Sequence, residues 1–256
     1  MSIIKKKIDS LKGNISIAIH YPETKTEKLA ILCPGYLDSK DYDHLVQLAT
    51  MLAEKGFAVV RFDPIGTWES EGNILDYTTT QYLTDIKIVK EYMLKDKNYT
   101  FILLGGHSMG GRMSLLYAPT DPEISSVFAI MSGYKKAPSK NEEKWKTDGV
   151  QINSRDIPKN KDEKRQYAVP FSFLEDSNKY NVLDTIGNLH IPVLLIAGEQ
   201  DTLCTPEVMK IIFDKANEPK EFVIIPEIGH DYRHYPKQIK IVNDVFLRKI
   251  NYGNFI

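Results

Sequence analysis

The sequence Gly-His-Ser-Met-Gly at positions 106–110 places one serine between closely spaced glycines. It follows an apolar run at 99–104 and precedes a helix-like stretch, so Ser108 is predicted to lie in a sharp turn between a strand and a helix. In such a turn the hydroxyl is exposed at the tip of the strand, and the glycines let the backbone pack closely around it. The motif occurs by chance in about one chain in twenty of this composition. It therefore indicates a nucleophile only if a base and an acid accompany it.

Two downstream segments supply candidates for that acid and that base. The apolar run at 191–197 is typical of a buried strand, and it ends in a Gly-Glu-Gln-Asp turn that places Asp201 on the loop after the strand. A second apolar run at 221–226 leads into a Gly-His pair, which places His230 just past another strand. We assign His230 as the base that activates Ser108 and Asp201 as the acid that orients the base. The order Ser, Asp, His is the one expected with this type of turn.

Neighbouring residues offer alternatives for both roles. Glu199 and Asp231 adjoin the assigned acid and base, and either carboxylate is an alternative to Asp201. Asp201 is favoured by its position in the Gly-x-x-Asp turn. His107 directly precedes the serine, but the sharp turn directs adjacent side chains apart, so His107 is not favoured as the base.

These three segments together resemble the α/β-hydrolase superfamily over nearly the whole chain. The segment at 33–36, Cys-Pro-Gly-Tyr, is similar to that family's oxyanion loop, although Pro34 replaces a common histidine. The segment at 63–72 is similar to the family's Asp-x-x-Gly-x-Gly-x-Ser-x-Gly loop, with Thr-Trp in place of the usual His-Gly. The resemblance implies that the backbone N–H groups of Tyr36 and Met109 point at the oxyanion that develops during reaction.

The rest of the chain alternates apolar strands with amphipathic helices. An antiparallel hairpin is predicted near the amino terminus, followed by strands at 29–33, 57–62, 99–104 and 127–131 and helices at 42–55, 81–94 and 109–117. This alternation favours a mostly parallel sheet with helices on both faces. The resemblance implies an α/β-hydrolase fold with eight strands, formed by a single domain over 1–256. Tyr36, Ser108, Asp201 and His230 all follow predicted strands, so we expect them to converge at one edge of the sheet.

The alternation stops between 132 and 181, where the chain is rich in Lys, Glu, Asn and Pro. In the family a cap commonly follows the sixth strand, so the resemblance implies a small cap or lid insertion at 132–181. We expect its aromatic residues Trp145, Phe171 and Phe173 to bind substrate together with Tyr36. These aromatics are equally suited to anchoring the insertion onto the body of the protein.

Composition limits the classes of partner. The 33 Lys and Arg residues nearly balance the 34 Asp and Glu residues, for a net charge of −1, so neither nucleic acid nor an anionic membrane surface is indicated. The sequence has no apolar run of signal-peptide or membrane-spanning length, which predicts a cytoplasmic protein. Cys33 and Cys204 are expected to be reduced thiols, and they show no metal-ligand spacing with histidine. No metal and no cofactor are expected, and a homodimer is left open as an assembly.

These observations predict a serine carboxylic-ester hydrolase that acts through an acyl-enzyme on a small or medium acyl or aromatic ester. The compact body and short insertion are most similar to small carboxylesterases, including the feruloyl and cinnamoyl esterases. Lysophospholipase, monoacylglycerol lipase and acyl thioesterase use the same residues, and the sequence does not separate them. A ligand-binding receptor on the same fold is the alternative outside enzymes.

Overall fold

The computed structural model describes residues 1–95, 97–136, 141–252 and 255. The strands are β1 (Ser2–Ile8), β2 (Ile15–Tyr21), β3 (Lys28–Cys33), β4 (Ala58–Phe62), β5 (Phe101–His107), β6 (Ser126–Ile130), β7 (Val150–Ile157), β8 (Asn160–Pro170), β9 (Val193–Gly198) and β10 (Lys220–Ile225). The helices are α1 (Asp43–Glu54), α2 (Thr79–Leu94), α3 (Met109–Tyr117), α4 (Glu142–Asp148), α5 (Ser172–Ser177), α6 (Pro206–Lys215) and α7 (Pro236–Tyr252). Within these ranges, no helix is both long enough and apolar enough to cross a membrane.

Eight of these strands form one sheet in the order β1-β2-β4-β3-β5-β6-β9-β10. The hairpin of β1 and β2 is antiparallel, and β2 is also antiparallel to β4. All pairings from β4 across to β10 are parallel. The predicted mostly parallel sheet of eight strands is confirmed. Its parallel strands end at one common edge, where ligands bind in folds of this kind.

Neighbouring residues of β3 show how the sheet divides the apolar core. Ile31 belongs to a cluster that contains Ile86 of α2 and Met113 of α3. Leu32 belongs to a second cluster, with Leu48 of α1 and Val242 of α7. Because successive side chains of a strand point to opposite faces, the helices cover both faces of the sheet, as predicted.

The segment between β6 and β9 has more regular structure than the sequence indicates. It contains α4, an antiparallel hairpin of β7 and β8, and α5. Residues 137–140 of the predicted insertion lie outside the described residues. The hairpin escapes prediction because β7 alternates exposed with half-buried positions and carries few apolar side chains, so it lacks the buried run that marks the strands of the main sheet.

Asp85 on α2 is a buried carboxyl group next to the loop that follows β4. Its Oδ2 accepts the backbone N–H of Ile65 at 2.9 Å, and its Oδ1 accepts the Gln81 side-chain amide at 2.8 Å. Burial raises its pKa from the ordinary 3.8 to about 7 and outweighs these two hydrogen bonds, which lower the pKa. Between these values the folded state keeps a proton that the unfolded state has lost. The contribution of Asp85 to stability therefore declines as the pH rises through this window.

We expect Asp85→Asn to remove this pH dependence, because the amide stays neutral and its oxygen can still accept the Ile65 N–H. Relative to wild type, the variant should gain stability on the order of a few kcal/mol between about pH 4 and pH 7.5. Urea unfolding of both proteins at the two pH values measures the change. If the difference between variant and wild type is the same at both values, Asp85 does not titrate in this range.

Candidate active site

Ser108 lies in the turn between β5 and α3 with backbone angles that an L residue rarely adopts. Its φ is 54° and its ψ is −120°, and such strain is typical of functional positions. Its N–H donates to the carbonyl of Ile130 at 2.9 Å, which fixes the turn against β6. A Cβ atom added at Gly106 or Gly110 would overlap the carbonyl oxygen of Cys33. Glycine is therefore required at both positions for the turn to pack against β3.

Three side chains from distant parts of the chain form a hydrogen-bonded row at the edge of the sheet. The Nε2 atom of His230 lies 2.9 Å from the hydroxyl of Ser108, and its Nδ1 atom lies 2.7 Å from Oδ2 of Asp201. A carboxylate can only accept hydrogen bonds, so Nδ1 carries the proton and donates to Asp201. Nε2 is then an acceptor for the hydroxyl proton of Ser108. This is the arrangement that a general base for a serine nucleophile requires.

Asp201 is fixed by the loop that follows β9. Its Oδ1 accepts the backbone N–H groups of Leu203 and Cys204, both at 2.8 Å, which leaves Oδ2 for the histidine. Its side chain is fully buried. The two alternative acids have other surroundings. Glu199 accepts the backbone N–H of Glu227 at 3.1 Å, and Asp231 is exposed. The loop thus holds the Asp201 carboxylate in a single orientation, which the sequence pattern alone does not reveal.

His107, directly before the serine, packs beneath the row. Its ring centroid lies 4.9 Å from that of His230 and 5.1 Å from that of Tyr232. Burial holds the pKa of His107 well below its ordinary value, so the ring is neutral near pH 7. His107 therefore supports the position of the His230 ring without competing with it for a proton.

The loop after β3 holds the peptide of Tyr36 in a closely bonded turn. The next N–H, that of Leu37, donates to the hydroxyl of Tyr77 at 3.0 Å, and the carbonyl of Leu37 accepts the indole N–H of Trp68 at 2.9 Å. The carbonyl of Tyr36 accepts two hydrogen bonds from Arg155, from Nε at 3.1 Å and from Nη2 at 2.9 Å. These contacts fix the two peptides that follow Tyr36. The peptide that carries the Tyr36 N–H is held from its other end, because the carbonyl of Gly35 accepts the backbone N–H of Asp38 at 3.1 Å.

Met109 is the first residue of α3, where an α-helix leaves its N–H groups without partners inside the helix. Its N–H and that of Tyr36 remain our predicted oxyanion donors. The positive end of the helix dipole favours negative charge at the same place.

Sequence analysis missed Arg155, because β7 was not recognised and the contact joins residues 119 positions apart. No local sequence signal marks such a contact. Arg155 also lies 3.9 Å from Asp38 and 5.6 Å from the centre of the Tyr36 ring. Because it donates to the Tyr36 carbonyl, we expect Arg155 to be a positioning residue that acts through the Tyr36 peptide.

Arg155→Met should lower kcat about tenfold while KM changes little, because the Tyr36 N–H stays in place but is no longer held rigidly. For comparison, complete loss of one oxyanion donor lowers kcat by about 10²–10³. Arg155→Lys should restore part of kcat. Steady-state kinetics on a p-nitrophenyl ester measure both constants. Lys164→Met, which removes an exposed cation from the same hairpin, is the matched control. A rise in KM at unchanged kcat would instead assign Arg155 to substrate binding.

A cavity of about 460 Å³ opens beside Ser108 and His230. This volume lies within the range of small-molecule sites. The rings of Tyr36 and Phe173 line the cavity, with their centroids 5.2 Å apart. Tyr36 and Phe173 therefore remain predicted contacts of the substrate.

The other two aromatic residues of the insertion lie behind Phe173. Within the described part of the chain, Trp145 and Phe171 are not in the wall of this cavity. Trp145 stacks behind Phe173 with a centroid separation of 6.3 Å, and its indole N–H donates to the carbonyl of Val169 at 3.0 Å. Phe171 meets the edge of Trp145 at 6.0 Å. Trp145 therefore supports Phe173 from behind, and Phe171 packs against Trp145. Contact of these two residues with substrate stays a prediction.

Two groups of side chains have the composition of metal ligands: Asp38 with His44 and His107, and Asp201 with Cys204 and His230. Burial raises the pKa of Cys204 to about 12, so its thiol is protonated, whereas metals bind the thiolate. Asp38 lies 3.9 Å from Arg155 and 3.8 Å from Arg233, and these positive charges disfavour a cation beside it. Neither group has the electrostatic surroundings of a metal centre.

A sequence model of the family described as serine aminopeptidase, S33 matches residues 24–165 of the chain. The match covers more than half of the chain and includes the Tyr36 loop, the Ser108 turn and Arg155. The chain belongs to this family. Asp201 and His230 lie beyond the matched range, so their assignment rests on the geometry described above.

Curated relatives match over most of the chain. Palmitoyl-protein thioesterase ABHD10 of mouse mitochondria is 22% identical over 211 residues, which cover 79% of this chain and 68% of that protein. An acyl transferase of Photobacterium leiognathi is 26% identical over 218 residues, which cover 82% of this chain and 70% of that protein. Both names describe proteins that act on acyl groups.

Solved structures agree with the family assignment. Est1E of Butyrivibrio proteoclasticus, solved with bound ferulic acid, has a TM-score of 0.74 and 24% identity, covering 96% of this chain and 99% of that chain. DcsB, solved with a substrate analogue, has a TM-score of 0.79 and 16% identity, covering 98% and 99%. At these identities the similarity establishes the fold. The resemblance to the α/β-hydrolases noted in the sequence is confirmed, and the chain is a hydrolase of that class.

Proposed function

We propose that the protein is a serine hydrolase that cleaves carboxylic esters through an acyl-enzyme, with Ser108 as nucleophile, His230 as base and Asp201 as the orienting acid. The observation that carries the proposal is the continuous hydrogen-bonded row from Asp201 Oδ2 through His230 to Ser108 Oγ, with separations of 2.7 and 2.9 Å, beside a cavity. Binding of a ligand alone does not require a general base that is hydrogen-bonded to a serine in a strained turn.

The geometry supports a two-step reaction. As Ser108 Oγ attacks the ester carbonyl, its proton moves to Nε2 of His230, and Asp201 stabilises the resulting imidazolium. The Tyr36 and Met109 N–H groups receive the negative oxygen of the tetrahedral intermediate. Collapse expels the alcohol, which takes the proton from Nε2 and leaves the acyl group on Ser108. His230 then removes a proton from water, which attacks the acyl-enzyme. As this second tetrahedral intermediate collapses, Nε2 returns the proton to Ser108 Oγ and the acid is released.

Thioester hydrolysis is the second candidate, and the similarity to a palmitoyl-protein thioesterase and to an acyl transferase favours it. The same residues would act in the same order, with a thiol as the leaving group. Matched p-nitrophenyl and thiophenyl esters of one acyl chain, assayed side by side, separate the two candidates. A series of acyl lengths together with methyl ferulate then separates a lipase-like preference for long chains from the small or medium acyl or aromatic esters that we predict.

We further propose that the chain is one domain and that the segment at 132–181 acts as a lid. The insertion supplies Phe173 to the cavity and Arg155 to the Tyr36 loop, so it covers the site and also shapes it. Because the lid carries Arg155, a movement of the lid would also move this residue and change the rate of catalysis.

Incubation with a fluorophosphonate followed by mass measurement of the intact protein tests the proposal. We expect one adduct, located on Ser108 by peptide mapping, because the probe reacts only with a serine that a base activates. A protein that stays unmodified while binding small esters reversibly would support the receptor alternative.

A further inference from the structure

The wall of the cavity beside Ser108 carries an excess of positive charge. Among the described residues, its basic side chains outnumber its acidic ones: Arg112, Lys135, Lys136, Arg155 and Arg233 against Asp38 and Asp231. This charge is local, since the whole chain has a net charge of −1. A concave site lined by one sign of charge attracts ligands of the opposite sign.

Two of the cations are neutralised by protein groups. Arg155 donates to the Tyr36 carbonyl and lies 3.9 Å from Asp38. Arg233 lies 3.8 Å from Asp38 and 3.5 Å from Asp156. These two side chains organise the loops at one side of the cavity, and their charge is already balanced.

Arg112 differs from them. Its residue is only 4% exposed, and its Nη1 atom is buried without a hydrogen-bond partner. In the described part of the chain, no carboxylate is among the ionisable groups that interact with its guanidinium. A buried guanidinium without a counterion is costly to the folded protein, so its presence indicates that a partner arrives from outside.

The ionisable groups that interact with Arg112 supply no negative charge. One is the cation of Lys136, and the other two are the hydroxyl of Tyr77 and the thiol of Cys204. Burial raises the pKa of both, that of Cys204 to about 12, so both are neutral near pH 7. Burial also lowers the pKa of Arg112 to about 10, which leaves the guanidinium protonated. Arg112 is thus a buried positive charge, and the ionisable groups that interact with it in the described part of the chain are neutral or positive.

We propose that Arg112 is the anchor of an anion subsite, and that the substrate carries a carboxylate or phosphate group which this guanidinium binds. The inference rests on the proposed function, because it defines the substrate of the same site. Arg112 lies one helical turn after Ser108, and its N–H donates to the Ser108 carbonyl at 3.1 Å. Ser108 and Arg112 are therefore close enough for a single small substrate to place its scissile bond at the first and its anionic group at the second. A guanidinium can bind either oxyanion with two parallel hydrogen bonds.

The anion could come from either side of the scissile bond. A carboxylate at the far end of a short acyl chain would place it on the acyl side, and a phosphate on the alcohol or thiol would place it on the leaving group. Two matched pairs of substrates distinguish these sources. The first pair is mono-p-nitrophenyl glutarate and p-nitrophenyl valerate. The second pair is butyryl-phosphopantetheine and butyryl-pantetheine.

We expect wild type to prefer the charged member of one pair by at least about tenfold in kcat/KM, in line with a charge-assisted hydrogen bond. Arg112→Met should lower kcat/KM for that charged substrate at least about tenfold more than for its neutral partner, and Arg112→Lys should lower it less than Met does. Arg248→Met removes an exposed arginine of α7 outside the cavity and is the matched control; it should preserve the preference.

The proposal also predicts the thermal stability of the variant. Because the unpaired charge destabilises the apoprotein, Arg112→Met should unfold at the same temperature as wild type or higher. A markedly lower unfolding temperature would show a structural role and would overturn the proposal. The proposal would also be overturned if wild type had the same kcat/KM for the charged and the neutral member of each pair. That comparison requires no variant.

Binding to an inactive protein separates this inference from the proposed function. In Ser108→Ala, calorimetry with glutarate and with phenyl phosphate should detect binding that Arg112→Met removes. If no ester or thioester is hydrolysed and yet this binding is found, the proposed activity fails and the anion subsite stands. If hydrolysis is found but charge has no effect on either kinetics or binding, the subsite fails and the activity stands.

Discussion

Ser108→Ala and His230→Ala should each lower kcat/KM for ester hydrolysis by about 10⁴–10⁶. Alanine at 108 removes the atom that attacks the carbonyl, and alanine at 230 removes the acceptor that lies 2.9 Å from that atom. The effects should not add in the double variant, because the two residues act as one unit. Initial rates with a p-nitrophenyl ester, measured at high enzyme concentration, cover the required range.

Matched controls separate loss of chemistry from loss of folding. Ser114→Ala removes another serine of α3, whose hydroxyl donates to the Gly110 carbonyl at 2.8 Å, and His190→Ala removes an exposed histidine. Both should retain activity close to wild type. If Ser108→Ala kept more than a few per cent of the rate, a second nucleophile would have to exist, and the fluorophosphonate adduct would map elsewhere.

The parts of the molecule that local sequence encodes were predictable. The predicted helix at 109–117 coincides with α3, and the predicted strands at 127–131 and 191–197 agree with β6 and β9 to within two residues at either end. Each of these elements has a continuous apolar run or an unambiguous glycine turn at its end. The serine turn has the additional constraint that only glycine fits at Gly106 and Gly110. Short-range steric rules therefore place Ser108 correctly.

The parts that depend on distant contacts were not predictable in the same way. The strand β7 buries little apolar surface of its own, so periodicity does not reveal it. Arg155 reaches the Tyr36 loop only because β7 forms. The aromatic residues of the insertion are visible in the sequence as a group, and their contact with substrate stays a prediction. Only the three-dimensional arrangement shows that Phe173 faces the cavity while Trp145 lies behind it.

The burial of Arg112 without a partner is another feature that depends on distant contacts and was not predictable from the sequence. An arginine in the first turn of α3 is visible in the sequence, but the neutral state of Tyr77 and Cys204 beside it follows from burial that only the folded protein has. Charge that is balanced by the chain and charge that awaits a ligand have the same sequence signature. The distinction is a property of the three-dimensional surroundings.

Asp201→Asn should lower kcat by about 10⁴, slightly less than loss of the serine or the histidine, through the tautomer of His230. In wild type the Leu203 and Cys204 N–H groups both donate to Oδ1, so only an acceptor fits at that position. The side-chain oxygen of asparagine will take that place, which directs its NH₂ group at Nδ1 of His230. Nδ1 must then accept, the ring proton moves to Nε2, and Nε2 can no longer take the proton of Ser108.

Nitrogen NMR of the labelled histidine should show this change directly, with the proton on Nδ1 in wild type and on Nε2 in the variant. Glu199→Gln is the matched control, because Glu199 lies on the same loop, accepts the Glu227 N–H and should be dispensable for turnover. Full activity of Asp201→Asn together with a large loss in Asp231→Asn would move the acid to the neighbouring carboxylate. Since Asp231 is exposed whereas the Asp201 side chain is fully buried and holds two backbone N–H groups, the fold favours Asp201 as the residue that fixes the tautomer.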